Sequence, residues 1–221
     1  MNGFRIVERT RKASQAQIAA YDDLPVANIS DAMHRMSGGG AGLRPYHAGG
    51  YMAGAALTVK SRPGDNLMVH YALNIAEPGD VIVVDAGGDL TNAIVGELML
   101  AFAAKKHVAG VVINGAVRDT HSIGKNRLPV YAAGVTHRGP YKDGPGEVNV
   151  PISISGMVIE PGDLIVGDED GFLCVPFAEI DRIHALAHER HLSELAKLQA
   201  IEEGRNKRDW VEKKLQLLGV I

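Results

Sequence analysis

Cysteine and large aromatic residues are scarce in this sequence. Its 221 residues include one cysteine and one tryptophan, and aromatic residues make up 5% of the chain. The single cysteine, Cys174, excludes a disulfide framework within the chain. It lies in the apolar run Gly171–Pro176, so we interpret it as a small buried side chain rather than a nucleophile.

Long hydrophobic runs and an excess of positive charge are also absent. No apolar stretch approaches the roughly 20 residues that span a bilayer, and residues 1–17 are polar, without the apolar core of a signal peptide. The formal net charge is −3 and the sequence pI is about 6.3, so no basic field attracts a nucleic-acid backbone. We therefore expect a cytoplasmic protein whose partners include neither a membrane nor a nucleic acid.

The common enzyme signatures are missing too. The chain has no phosphate-binding loop ending in Lys-Ser/Thr, no Gly-x-Ser-x-Gly, no Cys-x-x-Cys and no His-Glu-x-x-His. It also lacks a glycine-rich nucleotide-binding turn after a strand, which argues against a methyltransferase. Any chemistry must therefore depend on a less conspicuous group of side chains.

Hydrophobic patterning predicts one α/β domain, because 221 residues with 46% apolar content can bury one substantial core. In the first half, strands alternate with helices. The run Val81–Val84 leads directly into Asp85 and a Gly-Gly pair, which is typical of a central strand that is followed by a functional loop. The predicted elements are two short helices within 14–35, the second capped by Ser30, strands Ala53–Val59, Val81–Asp85 and Val111–Ile113, and helices near Asn66–Ala76 and Asn92–Lys106.

The second half predicts short strands separated by Gly, Pro and Asp turns. The tetrapeptide Glu-Pro-Gly-Asp occurs at 77–80 and 160–163, which we interpret as one β-turn used twice. After residue 178 the pattern becomes helical to about residue 203, and an amphipathic segment containing Trp210 follows. We expect this tail to pack on its own core or on a neighbouring subunit. The predicted strands are Val130–Ala133, Gly146–Ile152, Met157–Ile159, Leu164–Gly167 and Phe172–Val175.

Acidic residues and one arginine follow the apolar strands. Carboxylates suit a hard cation such as Mg²⁺ or Mn²⁺, and a guanidinium suits a substrate carboxylate. A helix beginning near Gly96–Met99 would add backbone amides that attract an anion. A local Arg-Asp salt bridge with a helix cap, and a solvated Glu97, are the simpler alternatives. The group comprises Asp85, Asp89, Glu97, Arg118 and Asp119.

Three short motifs resemble a known family. They are Gly87-Gly88-Asp89-Leu90, Gly96-Glu97-Leu98 and Gly115-Ala116-Val117-Arg118-Asp119. Together they are similar to the 4-hydroxy-4-methyl-2-oxoglutarate/4-carboxy-4-hydroxy-2-oxoadipate aldolase family, which includes regulator of ribonuclease activity A. The resemblance covers about residues 25–180 and extends to the glycine-rich segment 134–147. The family spacing places an acid, twenty residues and then Arg-Asp, as Glu97, Arg118 and Asp119 do here.

The resemblance implies a fold and an assembly. The fold is a swivelling β/β/α domain at residues 25–180, with an N-terminal helical segment at 1–24 and a C-terminal helical tail at 181–221. The assembly is a homotrimer, or a hexamer made of two trimers, with sites between subunits and the tail at an interface.

The resemblance also implies residue roles. Asp119 would bind Mg²⁺ or Mn²⁺ directly, and Glu97 would hold a water on that metal. Arg118 would bind the carboxylate and keto oxygen of a 2-oxo acid. The amides of Gly96, Glu97, Leu98 and Met99 would cradle the carboxylate of pyruvate. The family also draws an acid from a neighbouring subunit, for which Glu194 is the first candidate and Glu189 the second.

One position departs from the family pattern. Ser122 stands where the aldolases have an acid, so the family's substrate does not carry over directly to this chain. The adjacent His121 either replaces that acid or is an exposed helix residue. In the glycine-rich segment, Lys142 and His137 either face the substrate or lie in solvent.

Two functions remain open at this stage. One is a class II aldolase or decarboxylase that releases pyruvate from a 4-hydroxy-2-oxo acid or from oxaloacetate. The other is a non-catalytic regulatory protein like the ribonuclease regulator, which lacks the acid after the arginine. The presence of Asp119 favours the enzyme.

Overall fold

The computed structural model describes residues 3–221, which alternate strands and helices as the patterning predicts. The strands of this part of the chain are β1 (Phe4–Ile6), β2 (Arg44–Pro45), β3 (Met52–Ser61), β4 (Asp80–Asp85), β5 (Ala93–Val95), β6 (Gly110–Val117), β7 (Val130–Val135), β8 (Gly146–Val148), β9 (Ile152–Ile154), β10 (Met157–Ile159), β11 (Leu164–Asp168) and β12 (Gly171–Val175). The α-helices are α1 (Gln15–Ala20), α2 (Val26–Ala32), α3 (Leu67–Ile75), α4 (Glu97–Lys105), α5 (Thr120–Ile123), α6 (Ile180–Glu202) and α7 (Asp209–Leu217).

A ten-stranded mixed sheet forms the centre of the molecule. Its main order is β1-β8-β3-β4-β6-β7-β2, and β3, β4, β6 and β7 run parallel to one another. Strand β4 lies in the middle, and Val81–Val84 are buried, which confirms the predicted central strand. Buried apolar clusters cover both faces of the sheet. In such sheets ligand sites are formed by the loops that follow the carboxyl ends of the parallel strands.

Helix α4 starts later than the sequence predicts. The predicted helix at Asn92–Lys106 is wrong in its first turn, because Ala93–Val95 form strand β5 and pair in parallel with β6. These three residues are buried, and Ile and Val fit a pleated surface well. Gly96 then separates the strand from the helix, which begins at Glu97. The helix predicted near Asn66–Ala76 is confirmed as α3.

The N-terminal region confirms two short helices within 14–35 but corrects their caps. Ser14 caps α1 and forms a capping box with Gln17. The predicted cap at Ser30 is wrong, because α2 begins at Val26 directly after Pro25 and Ser30 lies inside it. Proline pre-sets the backbone for entry into a helix. The segment predicted as helical at 1–24 also contributes β1, which pairs in parallel with β8.

The repeated tetrapeptide forms the same turn twice, as predicted. In each copy the backbone amide of the first residue donates a 2.9 Å hydrogen bond to the carboxylate of the fourth, Glu77 to Asp80 and Glu160 to Asp163. The third residue is a glycine with a positive φ of 82° and 86°, respectively, which glycine adopts without steric cost.

The remaining strands of the second half agree with prediction except at 146–152. One strand was predicted there, but Asn149 has a φ of 54° and divides the segment into β8 and β9. Cys174 is 1% exposed, and burial raises the pKa of its thiol, which confirms a buried structural residue.

The C-terminal tail is helical, as predicted, and only its first turns join the core. Ile180, Ile183 and Ala187 of α6 are buried. Beyond them several apolar side chains are exposed, and Trp210 of α7 is 65% exposed. Along residues 3–221, no helix combines the length and apolar content needed to cross a membrane. The exposed large apolar residues of α6 are Leu186, Leu192, Leu195, Leu198 and Ile201.

Candidate active site

The candidate site forms where strands β5 and β6 end side by side. Their parallel pairing matches Val95 with Val117, and the Arg118 amide donates to the Val95 carbonyl at 3.1 Å. Gly96 and Glu97 therefore leave the sheet next to Arg118 and Asp119. Residues more than twenty positions apart in the sequence thus meet at one edge of the sheet.

Asp119 joins the two strand ends. Its Oδ2 atom accepts a 2.9 Å hydrogen bond from the backbone amide of Glu97, the first residue of α4. Arg118 Nε lies 3.7 Å from the same carboxylate. Asp119 has a φ of 62°, a left-handed conformation that aspartate tolerates better than most residues. The carboxylate is 43% exposed, so it remains open to a ligand.

Gly96 gives this contact the space it needs. A Cβ atom at Gly96 would lie 2.5 Å from Asp119 Oδ2 and 3.0 Å from Arg118 Cγ. Its φ of −145° is ordinary extended backbone, so close approach rather than conformation requires glycine here.

A cavity of about 230 Å³ opens at this position. Six residues that the sequence analysis assigned to a metal or substrate site line this cavity together. They are Gly96–Met99, Arg118 and Asp119. The first turn of α4 faces the cavity, but two of the four amides predicted to cradle a carboxylate are engaged. The Glu97 amide donates to Asp119, and the Met99 amide donates to the Gly96 carbonyl at 3.1 Å, so the amides of Gly96 and Leu98 are left for a ligand. Together with the guanidinium of Arg118, they favour an anion. The remaining lining residues are Asn66, His70, Ile94, Val95, Pro140 and Lys142.

Helix α3 supplies a wall that the sequence analysis missed. Asn66 and His70 lie four residues apart on or next to α3, a spacing that places them on one face. The Asn66 amide group donates a 2.9 Å hydrogen bond to the Ile94 carbonyl. Burial lowers the pKa of His70, and the nearby Lys142 ammonium lowers it further. Two polar residues one helical turn apart were the available sequence signal.

The glycine-rich segment contributes Lys142 and Pro140 to the cavity. For Lys142 and His137 the sequence left open whether each faces a substrate or solvent; Lys142 lines the cavity and His137 does not. Gly139 lies against the guanidinium, because a Cβ there would approach Arg118 Nη1 to 3.1 Å. The segment is thus packed closely on the site.

Asp65 fixes that segment in place. Its side chain is fully buried, and Oδ2 accepts hydrogen bonds of 2.8 Å from the amides of both Asp143 and Gly144. Oδ1 accepts from the Leu67 amide at 2.9 Å, and Arg62 Nη2 lies 3.2 Å from Oδ2. One carboxylate therefore ties the start of α3 to the loop that carries Lys142. The sequence analysis did not single out Asp65.

Two of the predicted acids lie elsewhere. Asp85 Oδ1 accepts from the Gly87 amide and from Asn114 Nδ2, each at 3.0 Å. Asp89 accepts from the amide and hydroxyl of Thr91. Neither lines the cavity, so their grouping with the site is wrong, and both close local turns.

The residues after Asp119 lie in the short helix α5. The Ser122 amide donates to the Asp119 carbonyl at 2.9 Å. Ser122 therefore contacts the backbone of Asp119, and neither it nor His121 lines the cavity.

Glu194 lies away from the cavity within one chain. Its carboxylate accepts a 2.7 Å hydrogen bond from Asn28 Nδ2, and it lines a separate groove between α2 and α6, as does Glu189. A contribution of Glu194 to the site requires a second copy of the chain and stays a prediction.

The donor set at the cavity suits a hard cation. Across residues 3–221, no three His, Cys, Asp or Glu side chains are grouped to hold a metal ion, and the carboxylates that line the cavity are Glu97 and Asp119. Mg²⁺ is commonly held by one or two carboxylates and keeps several waters. Asp119 can hold such an ion, because its Oδ2 is oriented by the Glu97 amide.

The fold and the cavity define an α/β protein whose candidate site lies at the ends of parallel strands. The chain belongs to the RraA-like family, whose sequence profile, described as Aldolase/RraA, matches residues 26–174. A relative from Halalkalibacterium halodurans, provisionally named 4-hydroxy-4-methyl-2-oxoglutarate aldolase, is 37% identical over 193 residues, which cover 86% of this chain and 92% of the relative.

Solved structures agree with this assignment. An uncharacterised protein from Pseudomonas syringae superposes with a TM-score of 0.80 at 27% identity, covering 88% of this chain and 96% of that one. The RNA-processing inhibitor RraA from Thermus thermophilus superposes with a TM-score of 0.63 at 31% identity, covering 69% of this chain and 92% of that one. The predicted fold, an RraA-like α/β domain with a C-terminal helical tail, is confirmed.

Proposed function

We propose that this chain is a divalent-metal-dependent class II aldolase that cleaves a small 4-hydroxy-2-oxo acid and releases pyruvate. The observation that carries the proposal is the meeting of Asp119, Arg118 and the first turn of α4 around one cavity. The name of the H. halodurans relative supports an aldolase. Decarboxylation of oxaloacetate passes through the same enolate of pyruvate, so we propose it as a second activity.

Asp119 would hold Mg²⁺ or Mn²⁺ directly, and Glu97 would hold it through a water. When bound, the ion supplies Lewis-acid polarisation of the substrate's keto oxygen. The hydrogen bond from the Glu97 amide fixes one oxygen of Asp119, so the carboxylate is oriented before a ligand arrives.

Arg118 would bind the carboxylate and the keto oxygen of the 2-oxo acid. Its guanidinium is planar and permanently charged, so it can hold both oxygens at once. The same group stabilises the negative charge that develops on the keto oxygen in the transition state. The amides of Gly96 and Leu98, at the start of α4, would cradle the carboxylate end of the substrate.

Cleavage requires two proton transfers. A base removes the proton of the 4-hydroxyl group, the C3–C4 bond breaks, and its electron pair forms the enolate while C4 becomes a carbonyl. Protonation at C3 then gives pyruvate. Glu97 is exposed at the mouth of the cavity, and a water oriented by its carboxylate can serve as the acid and base.

Lys142 and His70 would face the remote end of the substrate. Both line the cavity with Arg118. Burial and the nearby Lys142 lower the pKa of His70, which favours the neutral imidazole, and this form can both donate and accept a hydrogen bond. Lys142 provides the positive charge on that wall.

We further propose a cytoplasmic homotrimer or hexamer in which Glu194 of one subunit reaches the site of the next. The exposed apolar side chains along α6, including Leu192 and Leu195, support packing of this helix against a neighbouring subunit. Sedimentation velocity measures the assembly directly, and a monomer at micromolar concentration would contradict it.

A non-catalytic regulatory function is the second candidate. It is favoured by the likeness to the RNA-processing inhibitor RraA from T. thermophilus. The open carboxylate of Asp119 beside Arg118 supports the enzyme over this alternative.

The test is pyruvate release from oxaloacetate and from 4-hydroxy-4-methyl-2-oxoglutarate with Mg²⁺, Mn²⁺ or EDTA. We expect metal-dependent turnover that Asp119→Ala and Arg118→Ala abolish. Asp89→Ala removes an acid from a neighbouring loop and should leave turnover unchanged. An absence of turnover above the metal-only background on both substrates would favour the regulatory function.

A further inference from the structure

Two histidines form a pair on helix α6, far along the chain from the catalytic residues. His184 and His188 are one helical turn apart, and their imidazole rings face each other with centroids 5.8 Å apart and planes inclined by 25°. Neither histidine lines the cavity described above. The proposed aldolase reaction therefore leaves this pair unexplained.

The first ring of the pair is already held in place. The His184 ring lies 5.4 Å from the ring of Tyr21, measured between centroids. Tyr21 is fully buried, and its hydroxyl donates a 2.6 Å hydrogen bond to the Ile180 carbonyl. His188 is exposed, so its ring can turn. Because the His184 ring is already ordered, a ligand shared by both rings has to order only the His188 side chain, which lowers the entropic cost of binding.

We propose that His184 and His188 chelate a borderline transition-metal cation, such as Zn²⁺ or Ni²⁺. Histidines four residues apart on a helix present their rings on one face, which is the spacing that binds zinc in metalloprotease helices. Neutral imidazole nitrogen suits Zn²⁺, Ni²⁺ and Cu²⁺, whereas oxygen ligands suit Mg²⁺ and Mn²⁺. The pair would therefore select a different class of metal from Asp119.

The site has two protein ligands, and water fills the other positions. In the part of the chain that the structure describes, no third metal-ligating side chain joins a cluster. Asp181, one turn earlier on α6, accepts a 3.2 Å hydrogen bond from Gln17 Nε2, which ties it to α1. Two-ligand binding is reversible, and an ion that binds only the folded chain stabilises it by RT ln(1 + c/Kd), where c is the concentration of free ion.

Calorimetric titration of the untagged protein with Ni²⁺ tests this proposal. The Asp119→Ala background removes the other metal site. We expect one saturable site whose affinity falls at least about tenfold, or 1.4 kcal/mol, in both His184→Gln and His188→Gln. The exposed His188 keeps the test valid if His184→Gln fails to fold.

His191→Gln is the matched control, because His191 lies on the same helix three residues after His188. We expect it to bind Ni²⁺ as the parent does, and Ni²⁺ to raise the melting temperature of the parent and of His191→Gln but not of His188→Gln. The proposal is overturned by absence of saturable binding, by unchanged affinity in His188→Gln, or by an equal loss in His191→Gln.

Discussion

The backbone amide of Glu97 donates a 2.9 Å hydrogen bond to the Oδ2 atom of Asp119. This contact links the start of α4 to the end of β6, and it orients the carboxylate that we propose as the metal ligand. Glu97 and Asp119 each lie two positions after a strand, β5 and β6 respectively, and these two strands pair in parallel. The geometry of the site therefore depends on the sheet rather than on either loop alone.

Substituting Asp119 by asparagine should separate the two roles of this residue. Asparagine tolerates the left-handed conformation and keeps an acceptor for the Glu97 amide, so the fold should be retained. Loss of the negative charge should weaken Mn²⁺ binding at least about tenfold, since carboxylates are the preferred ligands of hard cations. Electron paramagnetic resonance of free Mn²⁺ measures the affinity. Asp89→Asn is the control, and an equal loss in both variants would contradict the assignment.

Gly96→Ala should disrupt the site with little effect on stability. The new methyl group would overlap Asp119 Oδ2, at 2.5 Å, and displace the carboxylate. We expect kcat/KM for pyruvate release to fall about 10- to 100-fold, because misplacing a catalytic group by about 1 Å has effects of that order. Gly42→Ala adds a methyl group in open space and should be silent. Full activity of Gly96→Ala would show that the contact is dispensable.

Lys142→Gln should change the titration of His70. Burial and then the Lys142 ammonium lower the pKa of His70, because a nearby positive charge disfavours the imidazolium. Removing the ammonium should therefore move the midpoint of His70 upward, toward its ordinary value, while burial keeps it below that value. A pH titration of the His70 ring resonances by NMR measures the shift. The exposed Lys125, replaced by glutamine, serves as control, and an unmoved or lowered midpoint in Lys142→Gln would refute the proximity.

Asp65→Asn should destabilise the protein and loosen the glycine-rich segment. The backbone amides of Asp143 and Gly144 donate to Oδ2 of Asp65 at 2.8 Å. If the NH₂ group of asparagine takes the place of Oδ2, these backbone donors face another donor instead of an acceptor. We expect a loss of about 2–4 kcal/mol in the free energy of unfolding, because a buried charged acceptor loses its partners. Urea denaturation measures the loss, and KM for the substrate should rise with it. Asp143→Asn alters an exposed carboxylate of the same segment and should change neither quantity.

Local patterns predicted most of the sheet and the outline of the site. Continuous apolar runs identified the central strands, and the repeated Glu-Pro-Gly-Asp turn was recognised from its composition. The spacing of Glu97, Arg118 and Asp119, together with the family resemblance, identified residues that the structure brings together. Their chemical roles stay predictions.

The features that sequence missed depend on contacts between distant residues. Strand β5 exists because Ala93–Val95 pair with β6, so no local pattern distinguished it from the first turn of a helix. Asp65 bonds to an amide 78 residues away, and His70 reaches the cavity only because α3 packs beside it. In the same way, Asp85 and Asp89 resembled site residues in sequence, but each closes its own turn.

Pyruvate release from 4-hydroxy-4-methyl-2-oxoglutarate, measured with Mg²⁺ and again after EDTA, tests the central claim most directly. The proposed mechanism predicts turnover that disappears with EDTA, returns when Mg²⁺ is restored, and is absent throughout from Asp119→Ala. Turnover that persists in EDTA, or that Asp119→Ala retains, would contradict the role given to Asp119.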